Sequence, residues 1–214
     1  MCRNELGPDQ QIIQSPLLKI ELLPIAAELT QYRGLIFTSE NGVSAFAQSQ
    51  SRRDLPAYCV GGRTAKAAIG AGLEAHSANG SADDLVAMVQ AADLAGPLLH
   101  IRGEHSRGEI ADRISAQVDE VVAYRQIALP LNDTARTALA GNREVILPLF
   151  SPRSAQIFFE QATPITALLR MIVISEAVKD AVLGSNLPEY LDISVADTPD
   201  AAAMLQAIKR CIVT

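Results

Sequence analysis

The sequence predicts an α/β protein of two similar halves, and two observations predict it. Short β-rich apolar runs alternate with amphipathic stretches along the chain, and the chain matches itself when slid against itself. Composition agrees. Hydrophobic residues make up 49% of the 214 residues, aromatics only 4%, and tryptophan is absent, so a core must be assembled from Ala, Leu, Ile and Val, the usual filling of sheet-and-helix layers.

Taken in order, the predicted strands are Gln11–Ser15, Leu35–Thr38, Ala57–Val60, Leu98–Ile101, Glu120–Tyr124, Glu144–Leu149, Met171–Ile174 and Asp192–Val195. Helices lie between most of them. Within Asp83–Ala92 the set Leu85, Val86, Met88, Val89 and Ala92 recurs at the helical period, as do Ile110, Ile114 and Val118, and Met204, Leu205, Ile208 and Ile212 near the C-terminus. These stripes face a core and imply no cofactor.

The internal repeat fixes the organisation. Ser39 to Ser151 and Phe46 to Phe158 are both steps of 112; Val60-Gly61-Gly62-Arg63-Thr64 parallels Ile174-Ser175-Glu176-Ala177-Val178 at a step of 114; Ala78 to Ala196, each before a helix, is a step of 118. Three matches in the same order describe two copies of one domain. The first copy closes with Leu98–Ile101 and Glu120–Tyr124, but the chain ends after the third element of the second. Its missing part is expected from the N-terminus, where Gln11 to Ile20 has the pattern of Val121 to Pro130: strand, polar break, extended segment. The expected architecture is therefore two parallel-sheet domains, Rossmann-like or flavodoxin-like, joined by a two-stranded β linker. One domain, 30–123, is inserted into a discontinuous one, 1–23 plus 127–214. A strand-helix unit matching Leu98–Gln117 has no counterpart at the N-terminus, so an unpaired strand edge and exposed apolar surface are expected there.

Charge narrows the partners. A net charge of −6 and a pI near 5.1 give no general field for nucleic acid or anionic lipid, so an anionic ligand needs local groups. Cys2, Cys59 and Cys211 are odd in number and far apart, without C-x-x-C or a His partner at metal spacing, and read as free thiols in a reducing compartment. No apolar run approaches the roughly 20 residues of a membrane span. Met1 to Gln14 carries no signal-peptide pattern, which makes the cytoplasm the expected location.

Ligands of open parallel sheets bind beyond the C-terminal strand ends, where helix N-termini present unpaired amides. Ser39, Gly61 to Thr64, Ser81 with Asp84, Ser151-Pro152, Ser175 and Thr198-Pro199 stand at such turns. Each taken alone is explained by capping. Arg63, Arg102, Arg125, Arg153 and, more weakly, Lys179 lie near the same loops, and arginine can grip a carboxylate through two hydrogen bonds. Each is equally explained as solvated surface charge. His100, inside a strand, is expected to be a satisfied core histidine, and no P-loop, G-x-G-x-x-G or G-x-S-x-G occurs.

Read in order, five segments resemble the uroporphyrinogen-III synthase family: Gly34-Leu35-Ile36-Phe37-Thr38-Ser39-Glu40-Asn41-Gly42-Val43, Val60-Gly61-Gly62-Arg63-Thr64-Ala65, Leu99-His100-Ile101-Arg102-Gly103, Val122-Ala123-Tyr124-Arg125 and Phe150-Ser151-Pro152-Arg153-Ser154-Ala155. The resemblance implies two domains with a cleft between them and a lyase without metal or organic cofactor. Its substrate is hydroxymethylbilane, a small molecule with eight carboxylates, closed to uroporphyrinogen III with loss of water and inversion of ring D in porphyrin and haem biosynthesis. It further implies Tyr124 as the group that helps the hydroxyl leave, with Ser39, Thr64 and Ser151 as substrate-binding groups; Asn41, Gly61, Arg63, Arg102, Arg125, Arg153 and Ser175, at the same loops, are expected to bind the substrate with them. A monomer that binds neither nucleic acid nor membrane is expected.

Two features depart from the family pattern. Ser175-Glu176-Ala177 stands where many members have a Gly-x-x-Thr-like turn, and the opening strand, Thr-Arg-Pro and helix are not found, as if the start codon were assigned too far downstream or the protein were partly degenerate. The alternative is a two-lobed anion binder that does not catalyse. A pair of receiver domains is disfavoured, since only Glu40 offers an acidic residue at a strand end of the first half.

Overall fold

A computed structural model describes residues 6, 10–78, 80–105, 110–162, 164–185 and 191–212, and among these described residues the apolar runs and amphipathic stretches become nine strands and eight α-helices. In chain order these are β1 (Leu18–Leu22), β2 (Gly34–Phe37), α1 (Glu40–Ser49), β3 (Ala57–Cys59), α2 (Gly62–Gly70), β4 (Ala75–Ser77), α3 (Ala82–Ala91), β5 (Leu98–Gly103), α4 (Ile110–Arg113), β6 (Val118–Ala128), α5 (Asp133–Leu139), β7 (Glu144–Leu149), α6 (Pro152–Gln161), β8 (Leu168–Val173), α7 (Glu176–Leu183), β9 (Leu191–Val195) and α8 (Ala201–Ile212). The chain divides into two compact units. Ile20–Ile127 forms the first; Met1–Lys19 together with Ala128–Thr214 forms the second.

In the first unit the strand order is β6-β5-β2-β3-β4, all parallel, with Leu35 opposite Ala57 on one side and Leu99 on the other. Because side chains alternate along a strand, Leu35 and Phe37 join Phe46, Leu99 and Ile101 in one apolar cluster with α1 and α2, while Ile36 joins Leu85, Leu98, Ile110 and Ile114 in another with α3 and α4. Both faces are therefore covered. The order turns back between β2 and β5, the switch point where such sheets open a crevice at their carboxyl ends. β1 lies beside β6: the Leu23 N–H donates to the Ala123 carbonyl at 2.7 Å and the Leu129 N–H to Leu17 at 2.9 Å, so the two segments run antiparallel.

The second unit has the parallel order β7-β8-β9. The repeat is visible in its backbone. Ser39 (φ −153°, ψ 146°) and Ser151 (φ −157°, ψ 151°) enter α1 and α6 alike, and Phe46 and Phe158 are both buried.

Two sequence expectations are corrected. Gln11–Ser15 forms no strand, and Ala75–Ser77, which was not expected to be one, pairs with β3. In the first unit β5 lies between β2 and β6, so β6 has a neighbour to pair with; among the described residues no strand stands beside β7 in the place that β5 takes beside β2. A groove of about 1460 Å³ lies there instead, lined by Ile12, Ile13, Leu17, Val145 and Leu147 among others, and Gln11–Ser15 stays irregular. β2 is buried throughout, whereas Glu144 of β7 is exposed and Val145 to Pro148 are half-buried, the apolar edge expected from the sequence. Pro148 fits this edge. Leu149 accepts from the Ile174 N–H at 3.1 Å, so the backbone of residue 148 faces away from β8, where a missing N–H breaks no ladder bond. β4 escaped the sequence reading because Ala-His-Ser at a sheet edge carries no apolar run. No helix among the described residues is long and apolar enough to cross a membrane.

Candidate active site

The helix entrances show which small polar residues are consumed by the fold. Ser39 Oγ accepts from the Asn41 N–H at 3.2 Å, and Ser151 Oγ from the Ser154 N–H at 3.1 Å while lying 2.8 Å from Ser154 Oγ. Both are working N-caps. Gly61 and Ser175, equivalent in the repeat and alike in backbone (φ −163° and −160°), make no side-chain cap, so first-turn amides of α2 and α7 are left to other acceptors. Half-buried Asn41 and buried Thr64 occupy the first turns of α1 and α2, and half-buried Arg153 that of α6.

Among the predicted arginines, Arg63, Arg102 and Arg125 meet carboxylates. Arg63 pairs with Glu40, linking the turn after β3 to the turn after β2. Arg125 Nε donates to Glu21 at 2.5 Å, across β6 and β1, and this partner holds the guanidinium firmly cationic. Arg102 Nε donates to Glu120 at 2.8 Å, and its Nη1 donates to the Gly103 carbonyl at 3.1 Å, which gives Arg102 a part in shaping the end of β5. The Arg63 and Arg125 pairs are solvent-exposed, and such pairs are worth about 0–1 kcal/mol, so a better anion can displace the protein carboxylate.

Beneath Arg102 lies His100, 1% exposed, with Nδ1 2.9 Å from the other oxygen of Glu120. The two residues are register partners across β5 and β6. Burial lowers the His100 pKa, opposed by the hydrogen bond to Glu120, and Nε2 lies buried with no hydrogen-bond partner among the described residues. The core placement expected of His100 holds, but the residue is satisfied on one side only.

Tyr124 lies on β6 opposite Gly103, where the β5–β6 register shifts between Arg102 and Gly103. The Glu104 N–H donates to the Tyr124 carbonyl at 2.9 Å. Its side chain is 9% exposed, and no hydrogen bond to its hydroxyl is formed among the described residues. A phenol with a free hydroxyl at the carboxyl end of a parallel sheet can donate a proton or a hydrogen bond to a ligand. Ser39, Asn41, Gly61, Arg63, Thr64, Arg102, Tyr124 and Arg125 thus share the carboxyl edge of the first unit's sheet, and Ser151, Arg153 and Ser175 that of the second. The sequence reading missed Glu21 and Glu120, the carboxylates that hold two of the arginines. Only strand pairing reveals them, since Glu21 and Arg125 are far apart in the chain. No cluster of His, Cys, Asp or Glu suited to a metal ion occurs among the described residues.

Two parallel-sheet halves with polar turns and guanidinium groups at the strand ends define an α/β protein of the class that holds its ligand beyond the carboxyl edge. Comparison with known proteins narrows the class. The family model described as Uroporphyrinogen-III synthase HemD matches residues 9–206, and the chain belongs to that family, whose work lies in tetrapyrrole synthesis. The crystal structure of uroporphyrinogen-III synthetase from Helicobacter pylori 26695 is similar in fold, with a TM-score of 0.72 over 91% of each chain at 16% identity. No curated protein matches the chain.

Proposed function

We propose that this protein is a uroporphyrinogen-III synthase, closing hydroxymethylbilane to uroporphyrinogen III with loss of water and inversion of ring D. Family membership supports the reaction class. The observation that carries the assignment to residues is Tyr124: a phenol on β6, at the carboxyl end of the first unit's sheet, whose hydroxyl makes no hydrogen bond among the described residues. In this reading Tyr124 Oη gives its proton, or a hydrogen bond, to the terminal hydroxyl of the substrate. The carbon–oxygen bond breaks, water departs, and the pyrrole nitrogen lone pair leaves an azafulvene cation. Attack by ring D forms a spiro intermediate, whose reopening and reclosure turn that ring over; the α-carbon of ring D then loses its proton, which restores the aromatic pyrrole and balances the proton given up by Tyr124.

Binding follows from charge. Eight substrate carboxylates suit the uncapped first-turn amides of α2 and α7, at Gly61 and Ser175, and the guanidinium groups of Arg63, Arg125 and Arg153, with Arg102 shaping the strand end. Ser39, Asn41, Thr64 and Ser151 add hydroxyl and amide groups at the same turns. Positioning supplies much of the rate, because the reacting ends of one flexible molecule must meet.

Tyr124→Phe tests the role. Loss of a positioned acid lowers rates by about 10²- to 10⁴-fold, so kcat for type III product is expected to fall by at least the lower figure with KM and the unfolding midpoint nearly unchanged. A variant with wild-type kcat would remove Tyr124 from the chemistry.

A further inference from the structure

Gly103 has no side chain, and the structure gives a reason that concerns Tyr124. A Cβ built on Gly103 would lie 2.7 Å from Tyr124 Cζ, 2.8 Å from Cε2 and 2.9 Å from Oη. All three distances are well inside contact range, and all three fall on the phenol end of one ring. The Gly103 backbone is not in the left-handed region, so the position does not require glycine for its conformation. Glycine is required here for space.

We infer that Gly103 is a positioning residue: its bare Cα is the seat on which the Tyr124 phenol rests, and the register shift at Arg102/Gly103 brings that seat opposite the ring. This deepens the proposed function and rests on the role given there to Tyr124. With no hydrogen bond to its hydroxyl among the described residues, the ring is placed by packing, so a methyl group at the seat moves the hydroxyl. Arg102 secures the seat from behind, through its Nη1 to the Gly103 carbonyl and its Nε to Glu120.

Gly103→Ala is the test, read in two ways on the full chain. The first is independent of activity: nitration of Tyr124 by tetranitromethane, followed in the Tyr124 peptide by mass spectrometry, is expected to become severalfold faster as the ring leaves its seat, while the thermal midpoint stays close to wild type. The second is kinetic. Misplacement of a reacting group by about 1 Å costs on the order of 10²-fold, so kcat for type III product is expected to fall at least tenfold with KM little changed, and the same substitution in Tyr124→Phe is expected to add almost nothing. Unchanged nitration and kcat would overturn the inference, and so would a full further loss in the Tyr124→Phe background, which would mean that Gly103 acts through something else. Faster nitration alongside a fully active Tyr124→Phe would keep the seat and refute the catalytic role of Tyr124, so the two failures are separable.

Discussion

At the scale of single residues, the stacking of His100, Glu120 and Arg102 on one sheet face sets how the first unit responds to acid. Burial holds the His100 pKa below its ordinary 6.5, so the folded protein keeps the ring neutral at a pH where the unfolded chain has already taken up a proton. The sign follows. Stability is complete above pH 6.5 and declines as pH falls from there through the folded-state value, because the unfolded state then binds the extra proton. His100→Gln is expected to flatten the slope of unfolding free energy against pH below 6.5; urea titrations at pH 5.5 and 7.5 would measure it, and equal slopes would exclude His100 as the source. The placement of these residues was only half legible. The loop positions could be put at helix entrances from the sequence because their motifs are local, as with Gly61-Gly62-Arg63-Thr64. Glu120 under His100, Glu21 beside Arg125 and Gly103 under Tyr124 are cross-strand relations, and register is invisible until strands pair.

Among the elements, α1 shows how closely the switch point is packed. A Cβ on Gly42 would come within 2.8 Å of the Ile101 carbonyl oxygen, so α1 lies nearly against the backbone of β5. Helix propensity alone favours alanine over glycine by about 0.5–1 kcal/mol. Overpacking against a backbone atom costs about 1–3 kcal/mol, and that term wins. Gly42→Ala is therefore expected to destabilise the protein by about 1–2 kcal/mol, while Gly70→Ala, whose Cβ would meet nothing within 4 Å, is neutral or stabilising. Thermal denaturation of the pair checks this, and a Gly42→Ala midpoint at or above wild type would contradict it. Element positions were legible where the apolar runs were strong: the prediction for Glu144–Leu149 coincides with β7. Ala75–Ser77 was not, because polar edge strands lack the pattern, and Gln11–Ser15 has the pattern but, among the described residues, no strand beside it to complete a ladder.

For the whole molecule, the sequence repeat was the most informative signal. It matches the helix entrances at Ser39 and Ser151, and their backbone angles agree within a few degrees. It also exposed an inequality: β2 is flanked on both sides, whereas β7 borders a groove lined by Val145, Leu147 and Ile12. What the repeat could not supply is chemistry, since a doubly wound sheet serves many reactions and the site must be argued from its own residues. The central claim is that this chain directs ring closure. The most direct measurement is the isomer composition of uroporphyrinogen formed when the purified protein is supplied with hydroxymethylbilane. The account predicts type III as the main product in proportion to protein added, and a product that stays type I at every protein concentration would contradict it.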